Sequence, residues 1–402
     1  MLKKSNFVWA VLDTLTVKLL AILSFLIIGR LVGPEPFGII ALVVVCVNLS
    51  EIFINSGLNV ALMKKTNRNE SDYVAVFVFS LCVALLFYLV ITGFSQYYAE
   101  FYNDYRLENV LKVLSLLIVI NVLMMVPNIK LQIHMKFRVK AIINVFSSVL
   151  SLLVATLLAM NGYDYWSLVV LHLLNATVNC IIVNMYVRWY PNTKFKLSVL
   201  LELLGFSMKL LFMNVVNVLY QSASNLILGK FYTVKVVGQY SQANSISSIP
   251  ISVFQIALQK VTLPKISLAK GCDFQLQEII KNSCKLIVVF LLPLISMIIL
   301  FSEDVIGWIM GDEWLVMAMY IKYIALALSP LPILAYNKNL ILILGNVNEL
   351  AIADFVVKII SVFSMILSAV HGVYYFIAVV AFTNLILMVL YIYFLSKVNL
   401  SF

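Results

Sequence analysis

Six charged side chains lie deep in long apolar stretches: Asp13, Lys18, Glu51, Lys338, Asp354 and Lys358. An Asp or Lys at the centre of a membrane helix costs roughly 2.5–3.5 kcal/mol on an insertion scale. Each therefore marks a helix face turned to protein or water. Asp354 and Lys358 are four residues apart and can pair along their own helix. Lys18 has no carboxylate three or four residues away, which makes it the candidate cation for an anionic ligand.

Uncharged polar residues extend the pattern. Asn48, Glu51, Asn55 and Asn59 are spaced three, four and four, so they share one helix face. Asn214, Asn217, Gln221 and Asn225 form a second stripe, and Thr14, Lys18 and Ala21 a narrower one. Ser241, Asn244, Ser248, Ser252, Gln255 and Gln259 form another. Any one serine or asparagine can simply bond across to a neighbouring membrane helix. Four aligned stripes predict a shared polar cavity between two halves of the chain.

The elements that must position these residues follow from composition. Of 402 residues, 63% are hydrophobic and 11% charged, against about 25% charged in a soluble domain. Apolar runs of roughly 20 residues, each able to cross about 30 Å of hydrocarbon, recur along the whole chain. They predict an all-α integral membrane protein with about twelve transmembrane helices. The spans fall near residues 7–30, 37–61, 73–95, 110–130, 141–160, 165–187, 205–229, 238–260, 284–301, 318–344, 350–370 and 373–395. The basic start lacks a small-residue cleavage site and predicts a retained first helix.

Lysine and arginine set the orientation. One set of loops collects Lys3, Lys4, Lys64, Lys65, Arg68, Lys130, Lys136, Arg138, Lys140, Arg188, Lys194, Lys196 and further lysines between 260 and 285. The opposite loops hold chiefly Arg30, Arg106, Lys230 and Lys235, together with most of the loop acids. Both termini are therefore expected in the cytoplasm. The net charge of +10 is accounted for by topology and anionic lipid headgroups, without nucleic acid. The expected division is an N-terminal lobe at 1–190, a cytoplasmic linker at 191–204 and a C-terminal lobe at 205–402.

A repeat underlies the two lobes. "GRLVGPEPFG" at 29–38 and "GKFYTVKVVG" at 229–238 share a Gly, a cation, seven residues and a Gly. Ser248, Gln255 and Gln259 likewise follow Asn48, Asn55 and Asn59 by two hundred positions. A separation of six spans makes this a parallel repeat. Pro34 and Pro36 with Gly33 and Gly38 predict a rigid outward hairpin between spans one and two.

Several chemistries are excluded. The five cysteines are odd in number and show neither a disulfide framework nor zinc spacing. His134, His172 and His371 are scattered, "GDEW" at 311–314 reads as a solvated turn, and no phosphate-cradling glycine loop is present. No metal or cofactor is expected. No loop exceeds about 25 residues, which leaves no room for a soluble catalytic domain.

The segment "GRLVGPEPFGIIALVVVCVNLSEIFINSGLNVALMKK" at 29–65 resembles the N-terminal signature of Wzx-type O-antigen and polysaccharide flippases. These belong to the multidrug/oligosaccharidyl-lipid/polysaccharide exporter superfamily. Arg30, Gly33, Pro34, Phe37, Gly38, Gly57, Leu58, Ala61, Lys64 and Lys65 carry the likeness, and "LILGKFYTVKVVGQYSQANSI" at 226–246 looks like the second-half counterpart. The resemblance implies a MATE-like fold of two six-helix lobes that rock about a central cleft in the bacterial inner membrane. It implies as cargo an oligosaccharide on undecaprenyl pyrophosphate, moved from the cytoplasmic to the periplasmic leaflet. Membrane lipids, an O-antigen polymerase and a chain-length regulator are the implied partners. Lys18 would meet the pyrophosphate. Asn48, Asn55, Asn59, Asn214, Asn217, Gln221, Ser248, Gln255 and Gln259 would meet the sugars. Asp13, Glu51 and Asp354 are the candidates for carrying coupling ions. The competing readings are an O-antigen polymerase or lipid-linked glycosyltransferase, which would need a large outer loop, and a drug exporter with a more acidic cavity.

Overall fold

The computed structural model describes residues 4–55, 57–65, 67–268, 273–344 and 347–397. The chain forms two compact units, Met1–Gly238 and Gln239–Phe402. Among the described residues, nine helices are long and apolar enough to cross a membrane. A tenth arises if Arg106–Leu123 and Met125–Ile133, bent by 41°, act as one span. The protein is thus an all-helical, multi-pass membrane protein, and each of the twelve predicted stretches carries helical backbone.

The first unit contains α1 (Lys4–Val32), α2 (Pro34–Asn55), α3 (Leu58–Lys64), α4 (Glu70–Tyr102), α5 (Arg106–Leu114), α6 (Leu116–Leu123) and α7 (Met125–Ile133). It continues with α8 (Phe137–Met160), α9 (Asp164–Val187), α10 (Leu197–Phe231) and the start of α11 (Val234–Leu268). Here α1 packs on α8, α8 on α9, and α2 on α4, α5 and α10. The predicted linker therefore runs into a helix at Leu197 that packs within this unit.

The predicted hairpin between spans one and two shrinks to a single residue. Gly33 adopts φ 73° and donates its N–H to the Gly29 carbonyl at 3.0 Å, closing α1 in a left-handed turn. Pro34 then starts α2, where its missing donor has no intrahelical partner to lose. Two breaks lie inside predicted spans. Gly57, at φ 71°, separates α2 from α3, and Ser115 and Met124 divide the fourth span into α5, α6 and α7. Arg68 donates to the Leu62 and Met63 carbonyls at 2.8 and 2.7 Å, satisfying groups that the end of α3 leaves open. Asn69 and Asp72 form a reciprocal capping box at the start of α4.

Burial separates two kinds of helix. Along α1 the exposed positions include Leu12, Val17, Leu19, Leu23, Ile27 and Leu31, an apolar face suited to lipid. Along α2 the exposed residues are Glu35 and Asn48, while Phe37, Ile39, Leu42, Val43, Val45 and Val47 are buried. The apolar side of α2 faces protein.

The second unit holds α12 (Asp273–Met310), α13 (Leu315–Leu328), α14 (Leu331–Leu344), α15 (Val347–Ala369) and α16 (Val373–Lys397) after the remainder of α11. α16 packs on α13, α14 and α15, and α12 on α13. Buried Asn384 of α16 donates to the Ala327 carbonyl at 2.8 Å, answering an open acceptor at the end of α13. Gln239 likewise donates to the Glu313 carbonyl at 2.9 Å beside buried Trp314.

Candidate functional site

The first unit contains a polar network that links three helices inside the membrane region. Asn144 of α8 donates to the Asp13 carboxylate of α1 at 2.8 Å. Asn179 of α9 donates to the Asn144 side-chain oxygen Oδ1 at 2.7 Å and reaches the Ser147 hydroxyl at 3.4 Å. One turn earlier on α9, Asn175 donates to Ser148 at 3.2 Å. A hydrogen bond to a charged group contributes roughly 1.5–3 kcal/mol. One carboxylate is thereby held in a chain of amides and a hydroxyl that joins α1, α8 and α9. Lys18 stands five residues on from Asp13 in α1 and is half-buried.

The α2 stripe is arranged differently. Asn48 is exposed, Glu51 is half-buried and accepts a hydrogen bond from Asn121 of α6, and Asn59 donates to Asn55 at 2.9 Å across the Gly57 break. The Asn59 side-chain oxygen is buried and has no hydrogen-bond partner among the described residues. On α10, Asn214 and Gln221 are exposed and Asn217 is half-buried, whereas Ser222, Ala223, Ile227 and Leu228 are buried. The apolar side of α10 packs inward and its amides point away from that packing, as on α2. An exposed amide is costly against hydrocarbon and cheap against water.

In the second unit, Lys358 pairs with Asp354 at 2.6 Å, four residues away on α15, and Tyr391 of α16 donates to the other carboxylate oxygen at 3.1 Å. The expected pair along one helix therefore closes. Ser248 donates to the Ser245 carbonyl at 2.8 Å and Gln255 to the Leu331 carbonyl at 3.1 Å. The side chains of Gln259 and Lys338 lie outside the described residues.

Two ionic clusters close opposite ends of the first unit. Near α3, Lys65 meets Asp72 at 3.1 Å and Glu202 at 3.4 Å, and the hydrogen bond it donates to the Asp72 carboxylate raises the lysine above its ordinary pKa. Beside them Lys130 meets Glu70 at 2.7 Å, Trp189 donates to the same carboxylate at 2.9 Å, and the ammonium lies 4.7 Å from the Tyr73 ring. At the α1–α2 turn, Arg106 bridges Asp104 at 2.7 Å and Glu35 at 2.5 Å. Lys230 donates to the Phe101 carbonyl at 2.8 Å and sits 4.0 Å from its ring.

The sequence argument missed Asn121, Asn144, Asn175 and Asn179. The four-residue spacing of Asn175 and Asn179 on the sixth span was the available signal, together with Asn144, Ser147, Ser148 and Ser151 on the fifth. Among the described residues, no group of three His, Cys, Asp or Glu could hold a metal ion.

Long apolar helices in two compact units, with polar residues on exposed helix faces, define a multi-pass membrane protein. Residues 27–319 match the family described as "Polysaccharide biosynthesis protein", and the chain belongs to that family. It is 25% identical over 309 residues to the succinoglycan biosynthesis transport protein ExoT of Rhizobium meliloti, covering 77% of this chain and 63% of that protein. It is 20% identical over 320 residues to the teichuronic acid biosynthesis protein TuaB of Bacillus subtilis, covering 79% and 66%. The chain thus spans just under two thirds of the length of these relatives. Among solved structures, the lipid II flippase MurJ in an inward closed conformation superposes with a TM-score of 0.78 at 14% identity, covering 96% of this chain and 86% of that one. An inward-facing MATE-family multidrug transporter of the MOP superfamily superposes at 0.68 and 13% identity, over 97% and 98%. The fold is thus MATE- and MurJ-like across nearly the whole chain.

Proposed function

We propose that this protein flips an undecaprenyl-pyrophosphate-linked oligosaccharide, an O-antigen unit or a similar polysaccharide repeat, from the cytoplasmic to the periplasmic leaflet of a bacterial inner membrane. It does so by alternating access coupled to an ion. The observation that carries this reading is the inverted exposure of α2, a membrane helix that buries its apolar residues and exposes Asn48. Such a helix faces water or a polar cargo. In the first unit, Asn48, Asn55 and Asn59 of α2, with Asn214, Asn217 and Gln221 of α10, supply the amides that sugar hydroxyls need. Lys18 supplies the charge that a pyrophosphate needs. Ser248, Gln255 and Gln259 offer the same chemistry in the second unit, and the prenyl chain stays in lipid. Asp13, held by neutral amides, is the favoured coupling group, with Glu51 second. Both termini lie in the cytoplasm. The relatives support the substrate class, since ExoT and TuaB are named for the biosynthesis of succinoglycan and teichuronic acid, and the structural neighbour MurJ is named a lipid II flippase.

Deleting the gene in its native host tests this reading. Lipid-linked repeat units are expected to accumulate facing the cytoplasm, with loss of surface polysaccharide until the gene is restored and no recovery with Lys18→Ala. Single units that reach the surface without polymerising would make the protein a polymerase instead, and unchanged polysaccharide with altered drug efflux would make it a drug exporter. Glu51→Gln tests the second acid: transport with unchanged dependence on the proton gradient removes Glu51 from the coupling.

A further inference from the structure

Four cations at one end of the first unit have no acid to answer them. Lys136 precedes α8, Arg138 and Lys140 lie in its first turns, and Arg188 follows α9. None of the four pairs with a carboxylate among the described residues. Their neighbours Lys65 and Lys130 are neutralised by Asp72 and Glu70. The two sets adjoin at Arg188, whose left-handed turn at φ 50° leaves it exposed while the next residue, Trp189, is buried and donates to Glu70.

The unanswered cations lie against aromatic rings. The Arg138 guanidinium carbon is 5.4 Å from the centre of the Trp9 ring on α1. The Lys136 ammonium is 5.1 Å from the Tyr186 ring on α9 and donates to its hydroxyl at 3.4 Å. Trp and Tyr gather where a membrane meets water, so these contacts set the cations at headgroup depth. Apolar surface continues from them along both helices. Arg138, Ile142, Phe146 and Val149 are exposed and spaced four, four and three, which is one face of α8. Arg188, Met185 and Ile181 repeat the arrangement on α9, spaced three and four. Ile143 and Val183, beside these stripes in sequence, are buried together in the core, so the stripes look outward.

We propose that this end of α8 and α9 binds the phosphodiester headgroup of an anionic membrane phospholipid, whose acyl chains lie along the two stripes. A guanidinium meets phosphate through two parallel N–H bonds, and a ring on its other face holds it flat. Lys136 and Lys140 add unpaired positive charge beside it. A pyrophosphate-linked lipid shares the headgroup chemistry. The outward-facing stripes favour a lipid of the surrounding leaflet.

The test is retention of radiolabelled phosphatidylglycerol by the full-length protein, held on resin in a neutral detergent, with phosphatidylcholine as the net-neutral control. Saturable retention of phosphatidylglycerol alone is expected, weakening as salt is raised. Arg138→Gln and Arg188→Gln should each weaken it about fivefold, the scale of one cation at an anionic surface, and the double variant by roughly the product. Lys230→Gln, at the α1–α2 turn, should bind as the parent does. Both arginines are exposed, so thermal unfolding without added lipid should match the parent's; where a glutamine variant fails to fold, Arg138→Lys and Arg188→Lys give a smaller loss in the same direction. Equal retention of the two phospholipids, or retention untouched in the double variant, would overturn the site. Displacement by undecaprenyl pyrophosphate at lower concentrations than by unlabelled phosphatidylglycerol would make it a seat for cargo, and displacement by inorganic phosphate a site for soluble anions; either outcome also overturns it. The assay needs no transport, so this site and the proposed cargo can fail independently.

Discussion

Asp13 and Asp354 are both carboxylates inside membrane helices, and the two units treat them in opposite ways. In the first unit Asp13 is met by the Asn144 amide at 2.8 Å, itself held by Asn179 at 2.7 Å. In the second unit Asp354 is met by the Lys358 ammonium at 2.6 Å and the Tyr391 hydroxyl at 3.1 Å. A neutral amide can reverse its donor and acceptor ends, so it serves an ionised acid, a protonated acid or a bound cation alike. A fixed ammonium cannot. It can only donate, and removing the Asp354 carboxylate would strand a buried cation. The difference separates a carboxylate held by amides, which can adapt to what they meet, from one tied to a cation and, through Tyr391, to the neighbouring helix.

Breaking the ionic side should have the largest effect on stability. Asp354→Ala leaves Lys358 without its counter-charge and is expected to destabilise the protein by about 3–5 kcal/mol, read as thermal unfolding in detergent. The paired change Asp354→Leu with Lys358→Met should recover most of that loss, and a single variant as stable as its parent would remove the pair from any structural role. Breaking the amide side comes next. Asn144→Leu removes a donor from a carboxylate and should cost roughly 1–3 kcal/mol. Asn179→Leu acts one bond further out and should cost about 0.6–2 kcal/mol. Equal losses at both positions would mean the network is not a relay centred on Asp13. Tyr391→Phe deletes the secondary donor to Asp354 and should cost about 0.5–1.5 kcal/mol.

The smallest stability effect should accompany the largest functional one. Asp13→Asn keeps the shape and a hydrogen-bonding oxygen and should shift stability by less than about 1 kcal/mol. It should nonetheless abolish the dependence of transport on an ion gradient, measured as the initial rate in reconstituted vesicles with and without the gradient. A gradient dependence that survives Asp13→Asn would hand the coupling role to Glu51.

This contrast was half legible in the sequence. Asp354 and Lys358 lie one helical turn apart, so spacing alone brings them together. Asp13 and Asn144 are 131 residues apart, and no local pattern joins them. What the sequence did offer was a second set of polar stripes on the fifth and sixth spans. Helix existence was readable from apolar run length. The breaks were less so: Gly57 follows α2 and Pro127 follows Met124 by three residues, but Ser115 carries no glycine or proline signal. At the α1–α2 turn the proline pair suggested a longer hairpin, whereas Pro34 tolerates the first helical position and lets Gly33 alone make the connection. The repeat register was legible in the sequence, but not that its two copies touch: a Cβ at Gly38 would collide with the Val234 carbonyl oxygen, and one at Gly238 with that of Pro34. A repeat fixes equivalence and leaves contact to the fold.

That contact also sets an order of events during synthesis. At about 5–20 residues per second, the 29–38 motif emerges roughly 10–40 s before its partner at 229–238. Throughout that interval the seat on Gly38 has nothing to fill it, and α2 shows the bilayer and the insertion machinery a flat, unclosed backbone. The nascent first unit is therefore incomplete until the seventh predicted span and the start of the eighth have been made. Chains cut after the sixth should be inserted in the membrane yet remain targets for membrane quality control.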